Sequence, residues 1–310
     1  MQESLRSKFL GCLIGSALGD AIGELAFRFR SKSRLEAEVQ NSELLRYTDD
    51  TAMAIGVAQC LEEMKAIDPE RLGQIFHENF KEEPWRGYAS GPPSIFARVE
   101  SDGVKYSEAA SGLFGGTGSF GNGSAMRVAP VGLFFYDSVE LYESARRSAL
   151  PTHTHALAVD GAAVQAKAVA LAVRFSPMKS FSSELYLEEI EAFARTPEFK
   201  SKMRLVRKLL SSPASEAEAA TTLGKSVAVH ESLPFAIYCF AKNPESFEKC
   251  LHCAILNGGD RDTLGAMAGA IAGAYLGVDS IPKQWLEKLE GRKLLESLAE
   301  SLLNQHRPLL

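Results

Sequence analysis

Two short stretches hold residues able to do chemistry. The first is Gly258-Gly259-Asp260-Arg261-Asp262-Thr263. Carboxylates two residues apart at the mouth of an apolar helix repel each other unless a cation lies between them or one is protonated. The second is Tyr47-Thr48-Asp49-Asp50-Thr51, again hydroxyl, paired carboxylates and hydroxyl, opening a helix from Ala52 to Met64. Asp and Thr are also ordinary helix N-caps, so two independent sets of caps explain the residues as well as a metal site does. If the knots met in space, four carboxylates and two or three hydroxyls would suffice for two hard divalent cations such as Mg²⁺, which take oxygen ligands.

The flanking segments predict that they do meet. The run Cys250 to Leu256 stops at the Gly-Gly pair, and Leu264 to Val278 carries no charge. Within the latter, glycines recur at 265, 269, 273 and 277; near the N-terminus they recur at 11, 15, 19 and 23. A spacing of four puts each set on one helical face. Each mid-helix Gly costs about 1 kcal/mol relative to Ala, so a compensating gain is needed, and close backbone approach of two buried helices supplies one. A membrane span is disfavoured: Asp20 interrupts the first run, and the second falls short of the roughly 20 apolar residues that a span needs.

The remaining chain reads as helices. Thr48 to Ala66 follows the first acidic knot, and Asp68 to Phe80 has an Asp cap with Pro69 at its first position. Further helices are expected near Pro93 to Glu100, Ser107 to Leu113, Ala125 to Phe135, Val139 to Ser148, His155 to Arg174, Leu185 to Phe193, Ser201 to Leu210, Ala214 to Val229, Pro234 to Ala241, Pro244 to Leu256 and Trp285 to Gln305. Phe27 to Glu43 reads as surface loop or short helix. Strands would need β-branched alternation bounded by turns, and no run shows it. The expected fold class is all-α, in a single domain over 1–310.

Between helices, Phe114 to Ser124 packs five glycines into eleven residues. Such a segment opening a helix is a natural phosphate cradle, although a flexible connector has the same composition. Phe114 and Phe120 within it favour a ligand loop. Thr152-His153-Thr154-His155 would favour softer ions than Mg²⁺; a cap, or one His touching a ligand, suits the oxygen-rich surroundings better. Cys250 and Cys253 have C-x-x-C spacing without a second pair.

The 310 residues, 45% hydrophobic and 24% charged, are globular values, and the net charge of −5 argues against a nucleic-acid surface. No signal-peptide pattern is read at the N-terminus. Five scattered cysteines suit a reducing cytosol, so a cytoplasmic protein without membrane or direct nucleic-acid partners is expected.

Together these pieces resemble the ADP-ribosyl-acceptor hydrolase family, also called the ADP-ribosylglycohydrolase or dinitrogenase-reductase-activating glycohydrolase family. The matching text is Gly19-Asp20-Ala21-Ile22-Gly23, Tyr47 to Met53, Gly118-Ser119-Phe120-Gly121-Asn122-Gly123-Ser124-Ala125-Met126-Arg127, Thr152-His153 and Gly258 to Thr263. Arg86-Gly87-Tyr88 and Glu231 to Tyr238 look most like the branch that cleaves serine-linked ADP-ribose and poly(ADP-ribose). The resemblance implies a compact orthogonal helical bundle with two Mg²⁺ ions in a cleft. Thr48, Asp49, Asp50 and Asp262 would hold one ion; Asp260, Asp262 and Thr263 the other. Asp49, Asp50 and Asp260 would serve catalysis. ADP-ribose would lie along Gly87, Tyr88, Ser90, Gly91, Phe114, Gly118, Ser119, Phe120, Gly121, Asn122 and His153, with pyrophosphate on the N–H groups of 118–120 and adenine near the two phenylalanines. The implied partners are ADP-ribose and ADP-ribosylated proteins or polymer.

Two departures stand out. Arg261 replaces the Thr usual between the last aspartates. Phe27 occupies the place of a catalytic Glu in the serine-directed branch, and Glu24, almost one turn earlier, is the nearest acid to take the role. A non-catalytic ADP-ribose-binding or structural relative, and a hydrolase of another small ADP-ribose conjugate, are the alternative readings.

Overall fold

The computed structural model describes residues 2–177 and 180–306, with side chains from Leu5 onward. The ends of the expected 1–310 domain lie outside the described residues. Among those described there are nineteen α-helical segments, one 3₁₀ turn and no β-strand, as the all-α expectation has it. In chain order they are α1 (Gln2–Arg28), α2 (Lys32–Asn41), α3 (Asp49–Met64), α4 (Pro69–Glu82), α5 (Gly91–Asp102), α6 (Tyr106–Ser111), α7 (Leu113–Gly116), α8 (Gly123–Met126), α9 (Ala129–Phe134) and α10 (Leu141–Ala149). There follow α11 (Ala156–Arg174), α12 (Ser183–Phe193), α13 (Pro197–Leu210), α14 (Glu216–Leu223), α15 (Val229–Lys242), α16 (Phe247–Asn257), α17 (Arg261–Leu276), α18 (Lys283–Lys288) and α19 (Arg292–Gln305). Buried side chains from Phe9 to Leu302 join in one hydrophobic cluster.

The centre of the fold is the pair α1 and α17. Gly11 faces Gly273, Gly15 faces Gly269, Gly19 faces Gly265, and Gly23 faces Arg261 and Asp262, so the two helices run antiparallel. A Cβ on Gly15 would lie 2.5 Å from the Gly269 carbonyl oxygen, and one on Gly23 would lie 2.6 Å from Asp262 Cα. Contact is backbone on backbone along four turns, which recovers the intrinsic cost of the glycines through dispersion over a long, close interface. α1 and α11 are each long and apolar enough to cross a membrane, but 89% and 78% of those windows are buried inside the protein.

Three expected helices are broken. The 125–135 run divides into α8 and α9, because Pro130 is tolerated only in the first turn of a helix. The 214–229 run stops at Gly224 (φ +92°), the C-cap of α14, and the 285–305 run breaks after Lys288 and restarts at Gly291 (φ +64°), the N-cap of α19. The segment expected to be loop or short helix contains α2, whose Leu35 and Val39 sit four apart on one buried face. Asp68 caps α4 as its sequence implies, accepting a hydrogen bond from Arg71 N with Pro69 behind it.

The ladder contact predicts a steep response to one added methyl. Gly15→Ala or Gly269→Ala should lower unfolding free energy in urea by about 1–3 kcal/mol. Gly91→Ala, whose Cβ would meet nothing nearer than 3.7 Å, should stay within about 0.5 kcal/mol. Equal stability of the ladder and control variants would contradict the packing.

Candidate functional site

The antiparallel pair brings the end of α1 beside the start of α17. Asp20, fully buried on α1, reaches the first turn of α3. Its two oxygens accept hydrogen bonds from Thr48 N (3.0 Å to each), Thr48 Oγ1 (2.8 Å), Thr51 N (3.1 Å) and Thr51 Oγ1 (2.6 Å). Thr48 sits at the N-cap of α3 but makes no capping bond with its own side chain; a carboxylate from another helix does the capping instead. Donors left free at a helix start must find a partner, and this one pins the first acidic knot to α1.

The second knot enters from α17. Thr263 N donates to Asp262 Oδ1 (2.9 Å), and Asn122 Nδ2 donates to Asp260 Oδ2 (2.6 Å) while also donating to Ser232 Oγ (3.2 Å). Burial pushes Asp20 up to about 6 against its four threonine donors, and burial followed by repulsion from neighbouring carboxylates raises Asp49 to about 7 and Asp262 to about 8, with Asp50 raised well above the usual range. Asp50 Oδ1 is buried with no hydrogen-bond partner. An orphaned carboxylate oxygen among acidic neighbours, with hydroxyls but no basic side chain hydrogen-bonded to them, is the donor set a hard divalent cation takes.

These residues floor a cavity of about 420 Å³. One wall is the glycine-rich loop, where Phe114 (70% exposed, φ +52°) and Phe120 (45% exposed) form an aromatic lip. The loop is tied to the segment before α15: Asn122 N donates to Val227 O (2.9 Å), and Val229 N donates to Phe120 O (3.1 Å). Gly87, Ala89, Ser90, Gly91 and Pro92 form another part of the rim. Its loop is anchored by buried Arg86, which lies over the Tyr47 ring at 4.0 Å and bonds Glu83 and Glu290.

Behind the loop lies a buried relay. Arg127 is fully buried against the Phe76 ring and donates to Ser148 O (3.0 Å) and Thr152 Oγ1 (2.7 Å). The Thr152 oxygen is also 2.7 Å from His153 Nδ1. Guanidinium can only donate, so the hydroxyl accepts from Arg127 while also pairing with Nδ1. The other ring nitrogen, Nε2, lies on the side of Gly121 and Gly123 and the cavity. Burial and the Arg127 charge hold the ring neutral, pulled down to about 3. His153 therefore presents an uncharged ring nitrogen to the cavity.

Of the residues singled out in the sequence, Asp49, Asp50, Asp260, Asp262, Thr263, Gly87, Ser90, Gly91, Phe114, Ser119, Phe120, Gly121, Asn122 and His153 line this cavity. Others do not. Thr48 stands behind the aspartates, its hydroxyl between Asp20 and Asp50. Tyr88 is half-buried against Phe80. Gly118 donates its N–H to Leu113 O (3.1 Å), so that donor is already used; its φ of +71° and its contact with Thr154 account for the glycine. Glu24 is half-buried on α1 and off the cavity, and Phe27 is exposed. Arg261 turns its guanidinium to the Ile255 carbonyl at the end of α16 and away from the cleft, which removes the repulsion its position suggested.

Several contributors escaped the sequence reading. Asp20, Arg127 and Thr152 fall inside the quoted motifs without a role; a lone Asp in an apolar glycine ladder was the available signal for the first. Val227 and Ala228 line the cavity but sat in what read as helix. Ser232 steadies Asn122 from α15, and nothing local marks it.

The fold and cleft define an all-helical enzyme with an oxygen-rich acidic floor and a glycine-and-aromatic wall. The chain belongs to the ADP-ribosylglycohydrolase family, whose sequence model matches residues 1–308, and it is a hydrolase acting on ADP-ribosylated substrates. It is 34% identical to the ADP-ribosylhydrolase ARH3 of Homo sapiens over 96% of this chain and 93% of that protein. An uncharacterised protein of Archaeoglobus fulgidus is 32% identical over 97% of this chain and 98% of its own length. Among solved structures, an ADP-ribosylglycohydrolase-related protein complex superposes with TM-score 0.74 at 26% identity, covering 98% of this chain and 100% of that one.

Two outcomes test the geometry. Asp20→Ala orphans the Thr48 and Thr51 amides and should cost on the order of 2–4 kcal/mol in urea unfolding; a cost below that of a surface change would refute its capping role. The raised carboxyl groups give a signed pH dependence. The folded chain holds their protons more tightly than the unfolded chain, so this stability is complete below the unfolded value of 3.8 and is lost as pH rises through about 6, 7 and 8. In EDTA, melting temperature should fall between pH 5.5 and 8.5, and Mg²⁺ should restore most of the difference.

Proposed function

We propose that the cleft binds two Mg²⁺ ions and the ADP-ribose unit of serine-linked conjugates or polymer, and hydrolyses the glycosidic bond at the distal ribose. The observation that carries this reading is the convergence of Asp49, Asp50, Asp260 and Asp262 from two helices on one cavity, with Asp50 Oδ1 lacking any partner. Thr48, Asp49, Asp50 and Asp262 would hold one ion, and Asp260, Asp262 and Thr263 the other. Bound Mg²⁺ supplies orientation of ribose hydroxyls and a more acidic water.

The chain's own groups do the rest. Asn122 fixes one oxygen of Asp260 and leaves the other to take a proton from the attacking water. Carboxylates close to the anomeric carbon stabilise an oxocarbenium-like transition state. With its proton on Nε2, His153 would donate to a ribose or phosphate oxygen without adding charge. The amides of Ser119 and Phe120 remain the loop donors in reach of pyrophosphate, and Phe114 and Phe120 offer faces to adenine. With Glu24 off the cavity, the proton-accepting role falls to Asp260 or Asp49. Residence in a reducing compartment such as the cytosol is supported by five cysteines that are all free and buried.

Free ADP-ribose released from serine- and arginine-linked peptides, with and without Mg²⁺, tests the reading. Serine-linked substrate should be cleaved in Mg²⁺ and spared in EDTA. Asp262→Asn should lose turnover by more than about 100-fold, together with the Mg²⁺-dependent rise in melting temperature. Full turnover in EDTA would remove the metal from the mechanism, and cleavage of the arginine linkage alone would move the acceptor class. Glu24→Gln should keep at least a third of wild-type turnover, while Asp260→Asn should fall by about 10²–10⁴-fold; the reverse ranking would return the base to α1.

A further inference from the structure

A second cavity, of about 180 Å³, lies between α2, α16 and α18 and shares no lining residue with the acidic cleft. Glu248 and His252 stand four apart on α16, and therefore on one face of it. Glu36 comes across from α2. One oxygen of each carboxylate and a ring nitrogen of His252 all lie within 4.8 Å of one another. We propose that Glu36, Glu248 and His252 form a metal site for a zinc-type divalent transition ion, separate from the catalytic cleft.

His252 provides the independent observation. The residue is 7% exposed, it lines this cavity, and its Nδ1 is buried without a hydrogen-bond partner. A buried imidazole nitrogen left unpaired costs free energy that a ligand bond would recover. Trp285 packs edge-on to the ring at 6.3 Å between centroids and restricts its rotation.

The donor set selects the ion. One imidazole nitrogen with two carboxylate oxygens suits Zn²⁺, and the cavity leaves room for water in a fourth position. Mg²⁺ and Ca²⁺ prefer oxygen throughout, as the cleft offers. Lys32 Nζ lies 3.6 Å from Glu36 as the present counter-ion. That pair is solvent-exposed and so weak enough to yield. A bound ion would join α2 to α16, and α16 leads directly into Gly258 to Asp262. The site would thereby steady the segment that presents two of the cleft's aspartates.

The full chain with Asp262→Asn, which disables the cleft, is the background for the test. Stripped with EDTA, reloaded with excess Zn²⁺ and then gel-filtered, it should retain about one equivalent of Zn²⁺. With Co²⁺ it should show the intense visible absorption of a four-coordinate nitrogen-containing site, which six-coordinate oxygen sites lack. Adding His252→Gln should remove both signals. Adding Glu248→Gln should weaken Zn²⁺ at least about tenfold. No Zn²⁺ retained in the Asp262→Asn chain, or occupancy and absorption unchanged by His252→Gln, overturns the proposal. If the His252→Gln chain does not fold, unchanged occupancy in the Glu248→Gln chain, which alters a half-buried carboxylate, overturns it equally. Failure here leaves ADP-ribosyl hydrolysis untouched, because turnover is read on chains that retain Asp262.

Discussion

The architecture depends on two helices touching through their backbones. Any side chain on the facing glycines of α1 and α17 would separate the helices, and the cleft would separate with them. Gly23 shows why: the position a Cβ would take lies against Asp262, a residue of the acidic floor. Packing and chemistry are therefore set by the same contact. The glycines weaken each helix by itself and strengthen the pair, and the pair decides where α3 and α17 present their carboxylates.

A concentration of buried acids needs compensation, and this chain supplies it unevenly. Asp20 is offset by amides and hydroxyls of α3. Asp160 repeats the device elsewhere: from α11 it accepts from Arg195 N and Thr196 N at the start of α13 and from the Tyr142 hydroxyl. Both cap one helix with a buried carboxylate from another, and both need no cation. Asp50 and Asp262 receive far less. The difference separates an aspartate that holds the frame from one left with few partners, and it is visible only once hydrogen bonds are counted atom by atom.

Much of this was legible in the sequence because its signals are periodic or compositional. Four-residue glycine spacing named the central helices and their contact. The paired acids named the floor, and the density of glycine and phenylalanine named the wall. What escaped was set by position in space. Val227 and Ala228 line the cavity because Gly224 turns the chain, and an apolar period on both sides hid that turn. The exact reach of Glu24 and the outward turn of Arg261 depend on neighbours some residues away in three dimensions: the helix-end carbonyl of Ile255 captures the guanidinium. Gly118 was assigned to phosphate by its type, whereas its backbone angle and Thr154 already explain it. Residue type predicts what a position tolerates, and only its surroundings show which demand is being met.

The ladder's partners lie about 250 residues apart in the chain, which has a consequence for biosynthesis. At about 5–20 residues per second, the first helix leaves the ribosome roughly 12–50 s before the helix that must cover it. During that interval an apolar, glycine-lined surface stands open, and no amount of local folding can close it. Contacts of such long sequence separation form late and slowly. The acidic floor is thus among the last features to assemble, because Asp260 and Asp262 emerge only with the final sixth of the 310 residues.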